Sequence, residues 1–155
     1  MAPPRTYSEA VKSASDWQFV KGLKYREQQV RASRDDADPR IVKFADALVK
    51  KAACYGIPLF AHEFYRGPTR QAEMKAGGYS RAKWGQSAHN YGLAVDLIHG
   101  TRAWELHALE WTVIGRLGIE VANRLNLKVS WGGAWEFYDP AHWELADWRR
   151  EAGLS

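Results

Sequence analysis

The apolar positions of this chain change period along its length, and the changes mark out its elements. From Asp38-Pro39 onward, Ile41, Phe44, Ala45, Leu48, Val49 and Ala52 recur at three- and four-residue spacing. That is the repeat of a helix with one face on a core. Asp38 suits the N-cap, Pro39 the first helical position and Gly56 the stop. Ile57 to Arg66 reads as a strand ending in a turn at Gly67-Pro68, and Thr69 to Ala76 as a short helix halted by Gly77-Gly78. A polar loop over 77–88 delivers His89. Leu93, Val95 and Leu97 then alternate with Ala94, Asp96 and Ile98, so a strand here places Asp96 and Ala94 on one face. Ala103 to Leu125 is the longest helical repeat, its stripe traced by Leu106, Leu109, Val113, Leu117, Val121 and Leu125. Short strands are expected at Val129-Ser130-Trp131 and at His142-Trp143-Glu144-Leu145. A Gly132-Gly133 turn follows the first, and a helical turn over 146–152 follows the second.

Helices mixed with short strands, without βαβ regularity, indicate an α+β domain: a small antiparallel sheet flanked by helices. The first 36 residues are less patterned. Thr6 through Trp17 suits a short helix capped by Thr6 or Ser8, and the mixed polarity of Gln18 to Arg34 predicts an arm. The expected organisation is therefore an N-terminal arm over 1–36 on a single compact domain over 37–155, within a size that supports one core.

Composition narrows the partners. The hydrophobic (46%) and charged (26%) fractions are those of an ordinary globular protein. A net charge of +4 favours anionic partners, among them cell-wall polymers. The densest basic run (Lys21, Lys24, Arg26, Arg31, Arg34) is followed at once by Asp35, Asp36 and Asp38, so it reads as a solvated face. Charge alone supports no specific nucleic-acid site. The single cysteine, Cys54, excludes an intrachain disulfide and a thiolate metal site, and its helical pattern predicts a small core residue. No segment approaches the roughly 20 apolar residues that span a bilayer. Nor does an apolar run suitable for a signal peptide follow Met1-Ala2-Pro3-Pro4-Arg5. A monomer made soluble in the cytoplasm is expected.

The candidate chemistry lies in two clusters. In Ser87-Ala88-His89-Asn90-Tyr91-Gly92-Leu93-Ala94-Val95-Asp96, a His and an Asp lie seven positions apart, and Asp139-Pro140-Ala141-His142-Trp143-Glu144 follows downstream. Two imidazoles and a carboxylate, with a spare carboxylate nearby, suit a divalent metal with an open position for water. A structural hydrogen-bonded group is the alternative. His142 and Glu144 would share a strand face. Trp131, Trp135 and Trp143 are either site walls or core, and His62, His99 and His107 read as surface or core histidines.

Ser-x-His-x-x-x-Gly-x-Ala-x-Asp, then Trp-Gly-Gly and Asp-x-x-His-x-Glu, resembles the zinc metallopeptidases of bacterial cell-wall metabolism. These are the D-alanyl-D-alanine carboxypeptidases and L-alanyl-D-glutamate endopeptidases, phage endolysins among them, which share a fold with the Hedgehog signalling domain. The likeness runs from about residue 38 to 146. It implies one zinc ion on His89, Asp96 and His142. It implies Asp139 as the proton-shuttling carboxylate, with Glu144 as its rival and otherwise the support of a ligand imidazole. Arg66, in Tyr65-Arg66-Gly67-Pro68, matches the arginine that steadies the oxyanion, with Arg70 as competitor. Ser87, Gln71 and Trp131 are the implied substrate contacts. Ala134 departs from the pattern, which often has an acidic residue after Trp-Gly-Gly. The implied substrate is the peptidoglycan stem peptide. The expected activity is that of an endolysin-type L-alanyl-D-glutamate endopeptidase. A carboxypeptidase and a catalytically inactive zinc-containing wall-binding module are the alternatives.

Overall fold

The computed structural model describes residues 2–154. Met1 and Ser155, the outer ends of the expected arm and domain, lie outside the described residues. In chain order the elements are α1 (Tyr7–Ala14), α2 (Trp17–Val20), α3 (Leu23–Gln28), α4 (Pro39–Ala53), β1 (Leu59–Glu63) and α5 (Pro68–Ala76). A 3-10 turn (Ala88–Tyr91) leads into β2 (Ala94–His99), followed by α6 (Ala108–Arg124), β3 (Val129–Trp131), β4 (His142–Leu145) and α7 (Trp148–Glu151). The four strands form one antiparallel sheet in the order β1-β2-β4-β3. This is the α+β architecture that the alternating periods imply.

Local chemistry accounts for the main elements. The Asp38 side chain accepts from the Arg40 backbone N–H at the head of α4, with Pro39 at the first helical position. Ile41, Phe44, Ala45, Leu48 and Ala52 of that helix are buried against the sheet core. The core-facing side of α6 carries Trp111, Val113, Ile114, Leu117 and Val121. The Trp143 ring of β4 packs on Phe44 (centroids 5.2 Å) and stacks on Trp131 (5.7 Å). It also reaches α6 at Gly118, where a Cβ would sit inside the indole. A glycine in the middle of a long helix costs about 1 kcal/mol of propensity; here it admits the largest fully buried side chain of the molecule.

Several expectations change. The long helix starts at Ala108, not Ala103. Ala103 has φ of 51° and bridges back to His99, and Glu110, fully buried, takes both Arg102 guanidinium nitrogens at 2.7 and 2.8 Å. Glu110 also accepts from the His107 N–H (2.8 Å), which caps the start of the helix one turn past the excursion. Cys54 is exposed rather than in the core, because α4 ends before it and the residue sits at the C-cap. β2 is buried at every position although its pattern alternates, since helices cover one face and the cleft described below closes over the other.

The N-terminal segment is bound by polar as well as apolar contacts. Ala10 and Ala14 of α1 are fully buried, Ser13 Oγ donates to Glu110 (2.8 Å), and His99 Nε2 meets the Ala14 carbonyl at 2.8 Å. Among the described residues no helix is long and apolar enough to cross a membrane.

Candidate metal centre and cleft

Register brings the first two donors together. Asp96 of β2 and His142 of β4 are directly opposed across the ladder, so their side chains rise side by side from one sheet face. The third donor comes from the 3-10 turn. Ser87 Oγ accepts from the His89 N–H (3.3 Å), while Asn90 Oδ1 accepts from the Ser87 and Gly85 N–H groups at 3.2 and 2.9 Å. This box closes the turn and aims His89 at Asp96.

Asp96 Oδ1 lies 3.2 Å from His89 Nε2 and 3.2 Å from His142 Nδ1, and one donor atom from each of the three residues falls within 4.8 Å of the others. The edge of a tetrahedron around a metal with bonds of about 2.0–2.1 Å is about 3.3 Å, so the two Asp96 spacings fit such an ion. The outer nitrogens set the tautomers. The Phe64 carbonyl, which can only accept, lies 2.6 Å from His89 Nδ1, so that nitrogen carries a proton and the neutral ring can present its Nε2 lone pair to a cation. His142 Nε2 lies 2.7 Å from Glu144 Oε1, so once the ring is neutral its proton stays on Nε2 and the Nδ1 lone pair can face a cation. All three residues are buried. A divalent cation could be held by this set.

Charge is concentrated here. Burial alone would raise the Asp96 carboxyl, but the charge of His89 and hydrogen bonds from His142 and His89 hold it well below the usual carboxylate range. Burial alone would lower His142, yet hydrogen bonds to Asp96 and Glu144, and their charges, push it up to about 10. Asp139, half-buried on the same cleft, is raised by desolvation and by the charge of Asp96. A carboxylate raised this way is a better proton acceptor than an exposed one.

Arg66 lies over the other flank. It is buried, with Nε 2.8 Å from Glu63 Oε1, Nη1 3.2 Å from Gln71 Oε1, and Nη2 3.5 Å from Asp96 Oδ2. Its backbone is tied to the 3-10 turn, since Arg66 N donates to the His89 carbonyl (2.9 Å) and Asn90 Nδ2 donates to the Arg66 carbonyl (3.0 Å). The rival Arg70 is exposed and turned to Glu63 and Glu73.

These groups line a cleft of about 1080 Å³ across the sheet face. Of the expected site residues it brings together Arg66, Ser87, His89, Asp96, Asp139, His142 and Glu144. Gln71 and Trp131 are not brought to it. Gln71 is fully buried behind Arg66 and Asn90, and Trp131 packs on Gly115 and Gly133 with Nε1 donating to the Pro140 carbonyl (2.8 Å). Trp143 is core, and the aromatic wall is Trp135, whose ring lies 5.1 Å from that of His142, together with Phe137. Sequence reasoning also missed Glu63 and Asn90. A carboxylate three residues before the key arginine is the signal that could have found Glu63.

Fold and centre together define a metallopeptidase, and the chain belongs to the M15 peptidase family, with residues 80–145 matching a model described as D-alanyl-D-alanine carboxypeptidase. Among its relatives is the peptidoglycan L-alanyl-D-glutamate endopeptidase CwlK of Bacillus subtilis (strain 168), 30% identical over an alignment of 129 residues that covers 71% of this chain and 74% of that protein. The fold also resembles the crystal structure of the Serratia marcescens L-Ala D-Glu endopeptidase ChiX. The TM-score is 0.62 at 22% identity, over 86% of this chain and 92% of that one.

Proposed function

We propose that this protein is a zinc-dependent endopeptidase that cuts the L-alanyl-D-glutamate bond of the peptidoglycan stem peptide. The observation that carries the reading is the meeting, in one cleft, of a buried His-Asp-His donor set with a raised carboxylate and a buried guanidinium. The identity with CwlK supports the choice of bond.

His89 Nε2, Asp96 Oδ1 and His142 Nδ1 would hold the zinc. When bound, the metal would supply Lewis acidity toward water and the scissile carbonyl. Asp139 takes a proton from the attacking water and passes it to the leaving amine, from its place on the cleft beside the donor set. Arg66 donates to the oxygen that gains charge on the scissile carbonyl, and Glu63 and Gln71 hold its fork in place. Glu144 fixes the tautomer of His142. Ser87 orders the ligand turn and faces substrate, and Trp135 forms the wall beside His142. Residues 1–36 act as an arm on a peptidase domain over 37–155, and the setting is endolysin-like lysis of the wall.

The test is to incubate the metal-loaded protein with purified peptidoglycan and titrate newly exposed amines. Release that a chelator abolishes is expected; no release with the metal in place overturns the reading. The description of the matched family favours a second outcome, cleavage of the terminal D-alanyl-D-alanine bond.

A further inference from the structure

Four arginines line the cleft, and they are not equivalent. Arg66 is committed to Glu63 and Asp96, and Arg70 to Glu63 and Glu73. Among the described residues, Arg81 and Arg149 have no carboxylate within ion-pair distance; each lies over an aromatic ring instead. Arg149 is folded onto its own neighbour, Trp148, at 4.6 Å. Arg81 reaches across the cleft, from the loop over 77–88 to Phe137 in the segment between β3 and β4, with its guanidinium carbon 4.2 Å from the ring centroid.

The backbone beneath Arg81 is anchored from inside. The fully buried amide of Gln71 donates to Ser80 Oγ (3.1 Å) and to the Ala82 carbonyl (2.7 Å), the residues on either side of Arg81. The oxygen of the same amide accepts from Arg66 and Asn90. Arg81 is therefore a pre-positioned cation on a tethered loop. Arg81 is exposed, and the contact with Phe137 uses its charge to hold it toward the cleft while leaving its N–H donors free.

The cleft otherwise presents Glu73, Asp96, Asp139 and Glu144. An anionic substrate needs a cation among these carboxylates. In a stem peptide the D-glutamate after the scissile bond continues through its γ-carboxyl, so its α-carboxyl is free, or amidated in some walls. That group lies one carbon from the nitrogen that leaves. We propose that Arg81 is a specificity-determining residue that pairs with this α-carboxylate and so makes the enzyme prefer the free acid over the amide. The assignment rests on the endopeptidase reading.

The experiment compares kcat/KM of the zinc-loaded protein on two stem peptides that differ only in D-glutamate α-carboxylate against α-carboxamide. Wild type should prefer the acid. Arg81→Gln should lose about 10–100-fold on the acid, the range for one charge-assisted hydrogen bond, and little on the amide. Arg81→Lys, which keeps the charge without the fork, should restore part of the preference. Arg149→Gln should leave it unchanged. Equal loss on both peptides in Arg81→Gln, an unaltered preference, or a preference that follows Arg149 would each overturn the assignment. If wild type cuts neither peptide, the endopeptidase reading falls and takes this assignment with it.

Discussion

Gly132 and Asp139 meet backbone to backbone: the Asp139 N–H donates to the Gly132 carbonyl at 3.0 Å, and the Asp139 carbonyl fills the space that a Cβ at position 132 would need. The same carbonyl accepts from the His142 N–H at 3.1 Å, so the glycine sets the placement of the raised carboxylate and of His142 three residues on. Gly132→Ala should destabilise the fold by about 1–3 kcal/mol. It should also lower kcat about a hundredfold, as displacement of a reacting group by about an ångström does. Thermal melts and kinetics at full metal loading check both. Asp139→Asn should keep the metal and lose about 10²–10⁴-fold in turnover.

Metal uptake should release a proton from His142. With the ring pushed up to about 10, it is protonated at neutral pH in the metal-free protein and must lose that proton to offer Nδ1. Titration calorimetry in two buffers of different ionisation enthalpy should show about one proton released at pH 7, and affinity should rise with pH toward 10. The sign for stability is opposite. In the metal-free fold the raised His142 contributes stability that is full below about pH 6.5 and fades as pH rises through 10.

Glu63 should matter to turnover without touching the metal. It holds Arg66 Nε at 2.8 Å, and Glu63→Gln keeps the shape while removing the charge that fixes the fork. A fall in kcat at constant metal content is expected, smaller than the about 10²–10³-fold loss expected for Arg66→Lys. Metal analysis alongside kcat checks it; loss of metal in Glu63→Gln would count against a positioning role.

His99 makes the docking of the N-terminal segment sensitive to acid. Its Nδ1 lies 3.2 Å from both the Thr101 and Arg102 N–H groups, so it must accept there, while Nε2–H donates to the Ala14 carbonyl. Burial holds the ring neutral and lowers its pKa. The unfolded chain therefore takes up the proton first, and stability falls as pH drops below about 6.5. Glu110, lowered despite its burial by Arg102 and by bonds from the His107 N–H and Ser13, adds a separate loss below about pH 4.5. Melting temperatures between pH 8 and 5 should decline less steeply in His99→Gln than in wild type.

What was legible in the chain follows from range. The Asp38-Pro39 cap and the stripe of α4 are local, and the structure has them where the pattern puts them. The meeting of His89, Asp96 and His142 was legible because strand period and a short turn decide where these side chains point. The start of α6 was not, because the pairing of Arg102 with the buried Glu110 overrides a helical repeat that continues through Ala103. Gln71 and Trp131 have the chemistry of substrate contacts, yet tertiary packing turns them inward. Arg81 and Phe137 lie far apart in sequence and meet only because two loops face each other across the sheet.

Mass spectrometry of the fragments released from defined peptidoglycan by the zinc-loaded protein tests the central claim most directly. New N-terminal D-glutamate, or its amide, paired with glycan that ends in L-alanine is the expected result. Free D-alanine from an otherwise intact stem, or no new terminus at all, would contradict it.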